Sequence, residues 1–405
     1  MADRQVASEP HWLATRYALT PWWLRVLLVF VASRIVTTSI LLYYASIQQV
    51  NPWTRAQPTY FEFAKIWDGH WYYIISVVGY PSTLPLTADG HVGESAWAFM
   101  PGYPSLARLV TTVTGLDFAV VAPLISVAFA FGTACVFYKL LLRSLPEGTA
   151  LFAVVLFCVA PLSPILQVAY AESMHTFLLM VALYLLVERH YWLLIPVIGA
   201  MALTRPSGLA FALALGLHVA WRWWRARDAF PVYQRVAAVC ATLFSALAGF
   251  SWVLIAWAVT GSITAYTDTE LAWRSGYIGY QELAPFTALW QAAQFWLQFP
   301  LGWLIVALAV VALLGFVALL FTPAAKRIGS DLRFWLLSYL LYLLAVFFPQ
   351  SSTFRLLLPL FPAFAIIAQP RHPAYRVALV VLGVAGQIGW VHIAWFVDGY
   401  DWTPP

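Results

Sequence analysis

Ile66-Trp67-Asp68-Gly69-His70-Trp71-Tyr72-Tyr73 sets a single acid in a rim of aromatic residues, between two long apolar segments, Trp22 to Ser46 and Phe118 to Leu142. Each flanking segment exceeds the roughly 20 apolar residues that a helix needs to cross a hydrocarbon core of about 30 Å. Similar runs recur to the end of the 405-residue chain, which is 62% hydrophobic and only 10% charged, with a mean hydropathy of +0.78. An ordinary soluble domain carries about 25% charged residues, so the reading is a polytopic membrane protein. The runs are continuously apolar, without the alternation of a transmembrane barrel, and this predicts an all-α bundle.

Basic residues orient the chain. Arg143, Arg189, Arg222, Arg225, Arg227, Arg235, Lys326, Arg327, Arg333, Arg371 and Arg376 fall at alternate ends of successive segments. With Arg4 and Arg16 ahead of the first span, they predict a cytoplasmic N-terminus and about 11 spans. The expected division is a cytoplasmic segment 1–21, one transmembrane domain 22–397 and an external tail 398–405. Within that domain, 47–117 forms a catalytic external loop, with short helices lying along the membrane surface, and 260–300 a second external loop. Tyr191 to Thr204 and Leu209 to Trp221 are too short for ordinary spans and read as a hairpin with Arg205 at its tip.

Cys135, Cys158 and Cys240 lie inside apolar segments and read as small core residues. The net charge of +5 is accounted for by span-flanking arginines, so the bilayer is the expected partner and nucleic acid is not. No spacing of acids or histidines supports a metal cage, and no cofactor is expected.

Asp68, Glu94, Glu172, Arg205, Asp268, Glu270 and Arg355 come from separate connections that the topology places on one external face. Arginine's planar fork fits phosphate oxygens, which suggests a lipid phosphate held beside a carboxylate that accepts a proton. Arg34, inside the first span, needs a partner, for which Glu62 and Glu172 are the candidate acids.

Trp67-Asp68-Gly69-His70-Trp71-Tyr72, Gly79-Tyr80 and Ala98-Phe99-Met100-Pro101-Gly102-Tyr103-Pro104 resemble the first external loop of the PIG-V family of mannosyltransferases. Met100 departs from that pattern, standing where an aromatic is more usual. Tyr170-Ala171-Glu172-Ser173, Thr204-Arg205-Pro206-Ser207-Gly208 and Arg355-Leu356-Leu357-Leu358-Pro359 resemble the family's later signatures. The resemblance implies a GT-C glycosyltransferase of the bacterial type, in the plasma membrane, with its active site outside. It implies inverting transfer of mannose from a polyprenyl-phosphate sugar to a glycolipid, glycan or protein acceptor. Asp68 is then the general base, with Glu172, Arg205, Arg355, Glu94 and His70 as substrate contacts. Trp67, Trp71 and Tyr103 are candidate sugar-stacking rings. A lipid or glycolipid transporter or flippase, and a ligase moving a different lipid-linked group, are the alternative readings.

Overall fold

The computed structural model describes residues 19–281, 284–350 and 352–398. Arg4 and Arg16, most of the expected N-terminal segment, Glu282, Ser351 and the tail beyond Asp398 lie outside the described residues. The chain is all-α: among the described residues, the sole β-pairing is an antiparallel bridge between Leu86 and Val92.

The longer helices are α1 (Trp22–Ile47), α2 (Asp68–Val78), α3 (Gly102–Thr114), α4 (Phe118–Leu141), α5 (Glu147–Val159), α6 (Glu172–Val187) and α7 (Tyr191–Ala202). They continue as α8 (Gly208–Arg225), α9 (Val232–Thr260), α10 (Ala265–Ala272), α11 (Thr287–Leu297), α12 (Gly302–Leu320), α13 (Ser330–Val346) and α14 (Pro373–Trp390). By length and composition, α1, α4, α9, α12 and α14 with its π-helical extension to Trp395 can each cross a membrane. The shorter apolar helices pack among them: α6 lies against α4 and α7, and α8 against α9 and α13. Among the described residues of α12, only Gly302 and Leu320 are buried and Phe316 and Leu319 pack against the core, so most of its apolar surface faces outward, as lipid contact requires.

Where helices approach closely, small residues permit it. A Cβ on Gly208 would stand 2.7 Å from the backbone nitrogen of Gly249, so only glycine fits at this α8–α9 crossing. The Ser245 hydroxyl fastens the crossing by donating to Gly208 O at 2.8 Å. The short pair therefore forms as expected, with the 203–207 turn joining α7 to α8.

Prolines alter two other segments. The apolar run from Thr149 to Gln167 stops as an α-helix at Val159, and Ser163–Gln167 follows as a 3₁₀ turn, because Pro161 and Pro164 lack the N–H groups that would extend the ladder. After Arg355, Pro359 and Pro362 break the chain into short turns over Thr353–Leu356, Leu358–Ala363 and Phe364–Ile367.

The break after α5 corrects the expectation for Arg34. Its guanidinium meets no acid: it donates to Cys158 O at 2.8 Å, to Ser163 O and Gln167 Oε1 at 3.0 Å, and to the Ser163 hydroxyl. Carbonyls freed at the end of α5 satisfy the cation. Glu62 is occupied elsewhere, in a capping box with Thr59.

In the first long connection, Thr59–Glu62 opens a short turn, and α2 and α3 pack on each other. Gly115, at φ +71°, ends α3 in the left-handed region that glycine tolerates. Asp117 then caps α4, accepting from Ala119 N at 2.7 Å. Helix α3 buries Tyr103, Pro104 and Ala107 and exposes Leu109 and Val113, as a helix lying along an apolar boundary would.

Candidate active site

Asp68 is the first residue of α2, and the backbone just before it is strained: Trp67 has φ +59° and ψ −126°. Such a conformation costs a non-glycine residue about 1–3 kcal/mol and persists only where its surroundings over-determine it. Here the indole of Trp67 is buried, its ring centroid is 4.4 Å from that of Trp53, and its N–H donates to Trp395 O at 3.3 Å. The Asp68 amide donates to the Tyr170 hydroxyl at 3.1 Å. The turn thus aims the Asp68 carboxylate into the bundle from a helix N-terminus, where the backbone dipole favours an anion.

Glu172 occupies the same position on α6. Two arginines on turns meet these acids. Arg355 Nη1 donates to Asp68 Oδ2, and its Nε lies 3.5 Å from Glu172 Oε1. Arg205 Nη2 donates to Glu172 Oε1 and lies 3.7 Å from Asp68 Oδ2. The side chains are 6% exposed for Glu172 and 11–14% for the other three, so the formal charges of two acids and two guanidiniums cancel inside a nearly dry cluster. Glu172 Oε2 and Arg355 Nε are buried and take part in no hydrogen bond among the described residues.

Each arginine is held by a second layer. The Arg355 guanidinium carbon lies 5.5 Å from the centre of the Tyr170 ring. The turn carrying Arg205 is pinned where Gly102 N donates to Leu203 O at 2.8 Å and where the Ser207 hydroxyl lies 2.8 Å from His175 Nε2. A Cβ on Gly102 would fall 2.7 Å from Thr204 Oγ1 and 2.8 Å from Leu203 O, so Pro101-Gly102-Tyr103 must carry glycine to let this turn approach.

Burial is the largest influence on Asp68 and raises its pKa. Arg355 and then Arg205 oppose the rise, Glu172 adds to it, and the net direction is upward. Glu270, on α10, is also raised by burial, with Arg274, Arg205 and Arg355 opposing and Asp68 adding to the shift. It therefore sits within electrostatic reach of the cluster.

No family model matches this sequence, and neither does any curated protein. Among solved structures the fold is similar to ArnT from Cupriavidus metallidurans bound to undecaprenyl phosphate, with TM-score 0.48 and 12% identity over 88% of this chain and 62% of that one. It is also similar to the Archaeoglobus fulgidus oligosaccharyltransferase tethered with an acceptor peptide (TM-score 0.43, 13% identity, 89% of this chain and 54% of that one). The archaeal oligosaccharyltransferase AglB from the same organism, in complex with an inhibitory peptide and a dolichol-phosphate, gives TM-score 0.41 at 13% identity, over 92% of this chain and 56% of that one. The chain thus spans less than two thirds of the length of these proteins.

Of the expected site residues, Asp68, Glu172, Arg205 and Arg355 converge. Trp67 and Tyr103, expected as stacking rings, are both buried as packing groups. Trp67 braces the turn, and Tyr103 is 0% exposed, with its hydroxyl donating to Ala122 O at 2.7 Å behind Tyr72. Trp71 is half-buried, stacked on Phe99 with centroids 5.7 Å apart and edge-on to Trp273. His70 and Glu94 are exposed and make no ion pair within 4 Å among the described residues. Tyr170 and Glu270 were not assigned roles from sequence. Tyr170 stood two residues before Glu172, and Glu270 faces Arg274 one helical turn on, a spacing at which side chains are neighbours.

Proposed function

We propose that this protein is an inverting GT-C glycosyltransferase that moves a mannosyl residue from a polyprenyl-phosphate sugar to an acceptor hydroxyl at the external membrane face. The observation that carries the reading is the convergence of two acids and two arginines from four separate connections, with Asp68 touching Arg355. The arginines bind the donor's phosphate. Asp68 takes the proton of the acceptor hydroxyl as its oxygen bonds to the sugar's anomeric carbon. The bond from that carbon to the phosphate oxygen breaks on the opposite face, and its electron pair leaves with the phosphate. Both guanidiniums are already in place where that negative charge grows, so little reorganisation is needed during the reaction. Glu172 keeps the arginines oriented and offers Oε2 to a substrate hydroxyl.

The test uses the purified full-length protein with polyprenyl-phosphate mannose labelled in the sugar, incubated with membranes of a strain lacking the gene. Label is expected to leave the donor and appear in a glycolipid, glycan or protein fraction. A donor that neither binds nor loses its sugar would overturn the reading.

Two further outcomes follow from the geometry. Asp68 works only when ionised, and burial holds its pKa above the ordinary carboxylate value of about 4. Activity should therefore fall with decreasing pH along a limb lying above that value. Arg355→Gln, which removes the largest opposing influence, should move the limb to still higher pH. A kcat/KM profile against pH checks this, and a limb that moves downward would assign it to another group. Separately, Gly102→Ala should push back the turn carrying Arg205, since a backbone carbonyl at 2.8 Å cannot yield as a flexible side chain can. A displacement of this kind costs transfer on the order of 10–100-fold, with helicity by circular dichroism unchanged.

A further inference from the structure

Helix α8 starts beside the ion cluster and ends about 25 Å farther along its axis, where Trp221, Trp223, Trp224, Arg225 and Arg227 are all exposed. A groove with a cavity of about 430 Å³ runs between α8 and α9 at this end. Its walls are Val219, Ala220, Val239 and Leu243, and Trp223 and Trp224 stand at its mouth. Gly216 leaves it open: a Cβ there would meet nothing within 4 Å.

Positive charge gathers on the tryptophan that lines the groove. The Arg235 guanidinium lies 4.9 Å from the Trp223 ring centre and that of Arg227 lies 5.7 Å from it. Arg235 Nη2 donates to Arg227 O at 3.0 Å, which ties the two together. Among the described residues, neither arginine has a carboxylate within 4 Å; Asp228, next in sequence, forms no ion pair. Two other arginines near this end are engaged: Arg143 pairs with Glu188, and Arg222 is buried against the Tyr191 hydroxyl and Gln234.

An apolar trench that opens onto two unneutralised guanidiniums matches a ligand with a hydrocarbon chain and an anionic head. On a helix bundle of this apolarity that ligand is a lipid, and two guanidiniums gathered on one tryptophan favour an anionic headgroup over a zwitterionic one, whose own cation they repel. We propose that the α8–α9 groove is a binding site for an anionic phospholipid, with an acyl chain along Gly216 and Leu243 and its phosphate on Arg227 and Arg235. This site does not depend on the proposed reaction, since it shares no residue with the ion cluster.

The experiment is native mass spectrometry of the full-length protein equilibrated with equimolar phosphatidylglycerol and phosphatidylcholine. The wild type should retain one phosphatidylglycerol in preference to phosphatidylcholine. Gly216→Leu, which fills open space, should lose that lipid without a change in melting temperature. Arg227→Gln with Arg235→Gln should keep a bound lipid but reduce the preference about tenfold or more. Equal retention of both lipids by the wild type would overturn the proposal, as would unchanged retention by a folded Gly216→Leu variant. If Gly216→Leu does not fold, the double arginine variant decides alone, and a preference that survives it overturns the proposal.

Discussion

Asp68→Asn is expected to slow the proposed transfer by about 10²–10⁴-fold, the range that a positioned general base contributes, while donor binding holds or tightens. The amide keeps the shape of the carboxylate and still accepts from Arg355 through its oxygen, so the turn at Trp67 has no reason to relax. What it cannot do is take a proton. Removing one negative charge also leaves the cluster with two guanidiniums against Glu172 alone, and losing one partner of a buried pair destabilises by about 3–5 kcal/mol. A donor phosphate supplies the missing charge, so the melting temperature of the variant should rise more on donor addition than that of the wild type. Initial rates, donor affinity and thermal unfolding of the purified protein separate these effects. Transfer within threefold of wild type would place the base elsewhere, and a variant that no longer binds donor would make Asp68 a structural residue.

The parts of this architecture that follow from hydropathy alone were the most legible. Helix α4 forms over Phe118–Leu141, one residue short of its expected end, because Asp117 supplies the cap and the side chains that follow suit lipid or core up to Lys139 in the last turn. The short pair α7 and α8 was legible for the same reason. Breaks in the ladder were not, although Pro161, Pro164, Pro359 and Pro362 stand in plain view, since an apolar window does not register missing N–H groups. That omission hid the partner of Arg34, which is a set of carbonyls that exists only because α5 stops at Val159. Asp68, Glu172, Arg205 and Arg355 could be singled out because charge is rare in such a chain and each lies beside an apolar run. The four-way contact among them could not, because it depends on how four turns stack at one end of the bundle. Trp67 and Tyr103 were ambiguous for another reason: burial against neighbours and stacking on a ligand draw on the same aromatic chemistry.

Whether Arg205 is a phosphate ligand or a structural counter-ion can be decided by pairing it with Glu172. Arg205→Gln removes the hydrogen-bonded partner of a buried carboxylate that already has one unpaired oxygen, so it should destabilise by about 3–5 kcal/mol. It should also weaken donor binding by about 10–100-fold, the worth of a hydrogen bond to a charged group. Glu172→Gln alone leaves Arg205 with Asp68 at 3.7 Å and should cost less of either. The two effects separate in the double variant. Removing both charges restores neutrality, so most of the lost stability should return as a coupling energy between the two sites. Donor binding should not return, because an amide cannot neutralise phosphate. If Arg205 were only the counter-ion of Glu172, the double variant would recover binding and transfer together with its melting temperature. Thermal unfolding and donor titration of the wild type and the three variants therefore assign the arginine to the substrate or to the fold.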